Sequence, residues 1–232
     1  MTTPPLAERL SAIDLRIADA ARRAGRDPAA ITRIVVTKFH PASLVRELHG
    51  LGVRDVGENR QQELTAKRAE LDGREFAALR WHFIGQAQTN KARPIRQAAD
   101  VVHSVDRARL ADALDAAEAE GEPPLDVLLQ IGLSEAEGRG GVPAAEAEAL
   151  AEHVRGCRGL RLRGVMAVAP LDEEPARAFE RLAGVAESVR RIAPDATWIS
   201  AGMTGDFEAA IEMGATHLRI GSAITGIRPT RG

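Results

Sequence analysis

Only three side chains carry a primary amine, Lys38, Lys67 and Lys91, although the chain holds 31 lysines and arginines in all. An uncharged amine attacks an aldehyde and retains it as a Schiff base, so each lysine is a candidate for covalent chemistry. Lys67 lies in the charged stretch KRAE and Lys91 follows Thr89-Asn90 at the start of a helical pattern, and both read as solvated. Lys38 ends the apolar run IVVT and opens a loop. A buried setting there would disfavour the ammonium and leave the nucleophilic free amine. The plain alternative is a snorkelling or ion-paired lysine, with Glu58 as one partner. Glu58 is equally able to pair with an arginine.

The second chemistry is anion binding. The segment ISAGMTGDFEAAIEMG (199–214) passes from an apolar run through small residues into a helical pattern that Gly214 ends, with Thr204 the expected N-cap. RIGSAITG (219–226) repeats the device, with Gly221 and Ser222 at its turn. Backbone N–H groups at such turns suit a phosphate.

Eight β-rich runs alternate with helical patterns: 31–38, 53–58, 79–85, 101–105, 126–131, 162–168, 197–202 and 217–222. Helical periodicity is clearest over 142–154, with Pro143 in its first turn, and over 172–191, where Phe179, Leu182, Ala186 and Val189 mark a core-facing stripe. An amphipathic helix over 6–24 precedes the first strand. The strand runs are apolar without strict alternation, as in parallel strands covered by helices. Eight strands at this spacing predict a (β/α)8 TIM barrel, an α/β fold, with an extra N-terminal helix and one domain over 1–232. An open doubly wound sheet would call for a GxGxxG turn after its first strand, and none is present. A barrel gathers chemistry at the C-terminal ends of its strands. These carry Lys38, Glu58 and Asn59, His82 and Gly85, His103 and Ser104, Gln130, Met166, Ser200 and Gly202, and Arg219 with Gly221 and Ser222. The two glycine-bearing loops fall after the seventh and eighth strands, where barrels commonly hold phosphate, and are expected opposite Lys38. The constellation suits a phosphorylated aldehyde.

Composition narrows the field. Tyrosine is absent, which excludes a phenolic acid or base, and the single Cys157 forms no internal disulfide. A net charge of -2 gives no support for nucleic-acid binding, and no apolar run reaches membrane-spanning length. The N-terminus MTTPPLAERL has no signal-peptide core, so the chain is expected to be cytoplasmic. Short loops and few aromatics point to a monomer. His82 and His103 read as core histidines, Trp81 and Trp198 as packing, and Gln88, Asn90 and Lys91 as a polar turn at the surface or the rim.

The motifs VVTKFHP (35–41), VGENRQQE (56–63), WHFIGQAQTNK (81–91), HSVD (103–106), LRGVMAVAP (162–170) and the run from Ser200 to Gly226 occur in one order along the chain. In them the sequence resembles the YggS/PROSC family of pyridoxal phosphate-binding, or pyridoxal phosphate homeostasis, proteins. Their fold is similar to the barrel of alanine racemase. The resemblance implies pyridoxal 5'-phosphate as cofactor, held by Lys38 as an aldimine. It places Asn59 and Met166 along the ring, and Ser200, Gly202, Met203, Thr204, Gly221 and Ser222 at the phosphate. Arg219 would face the pyridine nitrogen, and a permanently charged guanidinium there disfavours protonation and weakens the cofactor as an electron sink.

The resemblance has three departures: Thr204 for a customary serine, Gly132 for an asparagine after Gln130, and Thr225 for a phenylalanine. It implies a non-enzymatic protein of vitamin B6 homeostasis, with pyridoxal phosphate-dependent apoenzymes as recipients, no metal, and no nucleic-acid or membrane partner. An amino-acid racemase is the competing reading. Its known mechanism calls for a tyrosine from a second domain, for which 232 residues are expected to leave no room. A Schiff-base aldolase acting on a sugar phosphate is a third, with Glu58 as the acid or base nearest Lys38.

Overall fold

The computed structural model describes residues 4–134 and 140–226. All eight anticipated strands form: β1 (Thr32–Val36), β2 (Asp55–Glu58), β3 (Arg80–Phe83), β4 (Val101–Val105), β5 (Leu125–Gly132), β7 (Leu160–Met166), β8 (Trp198–Ser200) and β9 (His217–Ile220). They pair in parallel in the order β4-β3-β2-β1-β9-β8-β7-β5, and β4 also pairs with β5, which closes the barrel. A two-residue strand, β6 (Val142–Pro143), lies beside the end of β5.

Alternation divides each strand between two environments. In β3, Trp81 and Phe83 pack in the outer layer, whereas the ring of His82 between them meets His103 of β4. In β9, Leu218 and Ile220 join the outer core, and Arg219 reaches Ser200 of β8. Val101, Leu128 and Met166 form a separate small cluster with Trp198 against it. The barrel interior is therefore lined by polar as well as apolar side chains, and His82, His103, Ser200, His217 and Arg219 are all buried.

The N-terminal helix α1 (Leu6–Arg23) buries Leu6, Leu10, Ile13 and Ile17 at helical spacing. It packs against α8 (Phe207–Glu212) and α9 (Ser222–Thr225), and Arg9 donates to the carbonyl of Ile224 at 2.6 Å. The remaining helices are α2 (Ala42–Gly50), α3 (Gln61–Glu70), α4 (Ala92–Ala98), α5 (Ala108–Asp115), α6 (Ala147–Gly156) and α7 (Pro175–Ile192).

Two local expectations need correction. The helix expected over 142–154 begins only at Ala147, because Val142–Pro143 pairs with β5 and a 3-10 turn, Ala144–Glu146, intervenes. Thr204 does not cap α8: Asp206 holds the N-cap position, and its carboxylate accepts from the N–H of Met203 at 2.6 Å.

Candidate functional site

Lys38 sits two residues beyond β1 and is exposed. The structure thus corrects the expectation of a buried amine: β1 carries the lysine past the apolar core to the barrel mouth. The loop around it is held from α3. Lys67 donates to the carbonyl oxygen of Thr37 at 2.9 Å and to Glu58 at 2.6 Å, while the N–H of Phe39 donates to Glu63 at 2.8 Å. Phe39 has φ 68, a left-handed conformation that a non-glycine residue adopts only when its surroundings impose it.

Lys67, read as solvated, is instead 6% exposed, because i and i+4 on α3 turn Glu63 and Lys67 toward the Lys38 loop. Among the described residues Glu58 pairs with Lys67, neither with Lys38 nor with an arginine, and it accepts a further bond from the Thr37 hydroxyl at 2.6 Å. Burial raises the Glu58 pKa against the opposing pull of Lys67. Lys91 is half-buried and borders a cavity of about 270 Å³ that Asn59, Phe83 and Gln88 also line. The Oδ1 of Asn59 is buried without a hydrogen-bond partner. Gly85 passes so close to the Asn59 backbone that a Cβ would lie 2.1 Å from its carbonyl oxygen.

The barrel's closure sets the two small-residue turns next to Lys38 rather than opposite it. β1 pairs with β9, with Val35 level with Ile220, and β9 pairs with β8. Gly221 consequently lies beside Val36, with room for a Cβ 3.5 Å from that side chain. Gly202, at φ 89, has no such room, since a Cβ would approach Ala210 Cβ to 2.7 Å and Phe207 Cα to 2.9 Å. Thr204 and Gly221 are half-buried, while Met203 and Ser222 are exposed. Thr225 donates its hydroxyl to the carbonyl of Gly221 at 3.3 Å, tying the last turn down. Gln130 donates to the carbonyl of Gly140 at 2.7 Å beside Gly132.

Beneath the turns lies Arg219. It donates to Ser200 Oγ at 2.7 Å and to the carbonyl of Ala167 at 2.8 Å. Ser200 is fully buried, and its hydroxyl meets both Arg219 and His103. Met166 is 3% exposed and packs in the inner apolar cluster below. Burial pulls the Arg219 pKa down to about 10, which leaves the guanidinium charged at neutral pH. Among the described residues no carboxylate lies within ion-pairing distance of it, leaving a buried cation paired only with neutral oxygens. The same interior holds Asp55, His82 and His103 in a continuous line ending at Ser200. Sequence reading had the two histidines as satisfied core residues, which they are, but it missed that their partners lead to Arg219. Period-two alternation in β3, β4 and β9 was the available signal.

The alanine racemase N-terminal domain family matches residues 9–229. The pyridoxal phosphate homeostasis protein of Pseudomonas aeruginosa is 42% identical over 223 residues, covering 96% of each chain. That of Escherichia coli K12 is 38% identical over 226 residues, covering 96% of this chain and 97% of the relative. The structure of PipY from Synechococcus elongatus with PLP bound superposes with a TM-score of 0.82 at 33% identity, covering 96% of this chain and all of PipY. Alanine racemase from Corynebacterium glutamicum shares the fold, with a TM-score of 0.69 at 15% identity, covering 95% of this chain and 61% of the racemase.

Proposed function

Because the chain belongs to the family of pyridoxal phosphate homeostasis proteins, built on the alanine racemase N-terminal domain, we propose that it binds pyridoxal 5'-phosphate covalently through Lys38 and serves vitamin B6 balance without turning over a substrate. The observation that carries this reading is the meeting of three features on adjacent strand ends. The Lys38 loop, the Gly221-Ser222 turn and the buried Arg219 come together at β1 and β9. Bound, the cofactor supplies an aldehyde that condenses with an amine as water leaves.

Two features of the structure fit the group. The orphaned Asn59 Oδ1 offers an acceptor beside the ring, and the unpaired Arg219 cation suits a ligand bearing an acceptor nitrogen and negative charge. The turns containing Gly202, Met203, Thr204, Gly221 and Ser222 would hold the phosphate, and Met166 would line the ring. Ser200 takes part through Arg219. The clamps on Thr37 and Phe39 aim Lys38, while the buried ion pair of Lys67 removes that amine from competition.

Two observations support a carrier role. A two-base racemase requires a second acid or base across the ring, and the chain has no tyrosine. An aldolase would use Glu58, which is already committed to Lys67 and Thr37. Release to apoenzymes in the cytoplasm completes the proposal.

Mass spectrometry after borohydride reduction tests the reading. The protein incubated with pyridoxal phosphate is expected to absorb in the visible, and reduction should fix the cofactor on the peptide containing Lys38. A colourless protein, or label on Lys67 or Lys91, overturns it. Loss of α-deuterium from a panel of amino acids at ordinary enzymatic rates would overturn the carrier role alone.

A further inference from the structure

A single file of side chains crosses the barrel interior from the start of β2 to the candidate site. Asp55 Oδ1 lies 2.9 Å from His82 Nε2, His82 Nδ1 lies 2.8 Å from His103 Nε2, and His103 Nδ1 lies 2.9 Å from Ser200 Oγ. Arg219 then donates to Ser200 Oγ at 2.7 Å. The two histidines are fully buried, and Asp55 is the one member whose side chain retains appreciable exposure.

The direction of every hydrogen follows from the chemistry of the two ends. A guanidinium has only donors, so Ser200 accepts from Arg219 and its own hydrogen is free for one acceptor, His103 Nδ1. A neutral His103 then carries its hydrogen on Nε2 and donates to His82 Nδ1. A neutral His82 carries its hydrogen on Nε2 in turn and donates to the Asp55 carboxylate. The reverse order would set an unprotonated His82 Nε2 against a carboxylate oxygen, two acceptors face to face, and would strand the Ser200 hydrogen in the interior.

The protonation states agree. Burial lowers the His82 pKa and carries that of His103 well below the ordinary value. Burial acts against the Asp55 carboxylate, but the His82 bond and nearby Arg80 outweigh it and hold its pKa below the usual range. Arg80, Asp100, His217 and Arg219 are the other charged or titratable groups around the pair.

We propose that Asp55, His82 and His103 are positioning residues, a one-way hydrogen-bond line that fixes the Ser200 hydroxyl as acceptor and so locks the orientation in which Arg219 meets the cofactor. The line rests on the proposed pyridoxal phosphate reading for its effect on the cofactor, but its hydrogen pattern is a property of the protein alone. Asp55 thereby acts on the site from the opposite end of the barrel, touching neither the ligand nor Arg219.

Two measurements test it. Long-range proton–nitrogen correlation spectra of the ligand-free protein should show His82 and His103 neutral between about pH 6 and about pH 8, each with an unprotonated Nδ1. Titration of either ring in that range, or a hydrogen on either Nδ1, overturns the line whether or not the protein binds the cofactor. In the loaded protein, Asp55→Leu, which leaves the His82 Nε2–H without an acceptor, and His103→Asn should move the pH midpoint of the cofactor's absorbance by about one unit while borohydride still fixes it on Lys38. Unchanged midpoints in folded variants overturn the proposal. If His103→Asn does not fold, Asp55→Leu decides, since the Asp55 side chain lies at the barrel's edge. Failure of the wild-type protein to label on Lys38 condemns the cofactor reading and leaves the spectra to judge the line.

Discussion

Lys67 donates to the carbonyl oxygen of Thr37 at 2.9 Å, and that carbonyl belongs to the peptide unit that begins Lys38. One lysine thus braces the other. The brace is itself anchored, because the same ammonium is 2.6 Å from Glu58, whose second carboxylate oxygen is buried without a partner.

Removing the brace should be costly. Lys67→Met leaves the buried Glu58 charge uncompensated, and truncating one member of such a pair typically costs about 3–5 kcal/mol. Urea unfolding is expected to show a loss of that size, with Lys67→Met/Glu58→Gln recovering part of it. A single variant as stable as wild type would mean that the pair is not buried in solution.

Stability should fall on mild acidification. His82, His103 and His217 are buried, and desolvation lowers all three, that of His217 to about 3. Below the unfolded value of about 6.5 the unfolded chain binds protons that the folded one refuses, so the unfolded state gains as pH drops. His217 alone contributes a slope of about 1.4 kcal/mol per pH unit between roughly pH 6 and pH 5, and His103 and His82 add to it in the same direction. Denaturant curves across that window should show the trend, and His217→Gln should shed one histidine's share of the slope. A flat profile contradicts the burial of the three rings.

Gly202→Ala tests the phosphate-side turn. The residue has φ 89, and a methyl group would press on Ala210 and Phe207. Left-handed strain in a tight site costs on the order of 1–3 kcal/mol. A lowered unfolding midpoint together with weaker retention of pyridoxal phosphate in dialysis is expected, whereas Gly205→Ala, where a Cβ meets nothing within 4 Å, should retain the cofactor as wild type does. Equal behaviour of the two variants would remove Gly202 from the site.

Arg219→Glu should change the cofactor's spectrum and reactivity more than its attachment to Lys38. The guanidinium bonds Ser200 and Ala167 below the turns, and among the described residues it makes no hydrogen bond to the Lys38 loop. Absorbance spectra and reduced-peptide mass spectrometry of the same sample check this. Lost attachment with an unaltered spectrum in the residual loaded protein would contradict the role given to Arg219.

The barrel was legible because eight apolar runs recur at βα spacing, a local pattern that survives in one dimension. β4 matches its expected span, and the strands that came out shorter, such as β1 and β8, were overdrawn into the site loops. There the composition stays apolar and small after the pairing ends. The helix expected over 142–154 was misread at its start because Val142 and Pro143 fit either state until β5 is beside them. Lys67 was misjudged for a related reason. A charged stretch reads as solvated, and nothing local shows that its lysine turns inward to Glu58 and Thr37.

Residue type alone limited the covalent chemistry to three amines, withheld tyrosine and placed glycine-bearing turns after the last two strands of the barrel. Tertiary structure alone decided which of these meet. β1 and β9 are some 180 residues apart in the chain, and only their hydrogen-bonded register, with Val35 level with Ile220, brings Lys38 to the Gly221 turn. The same closure lines up Asp55, His82, His103, Ser200 and Arg219 from five strands, β2, β3, β4, β8 and β9. Strand alternation tells which side chains point inward, but their partners depend on how the closed sheet is staggered, and that is a property of the whole barrel.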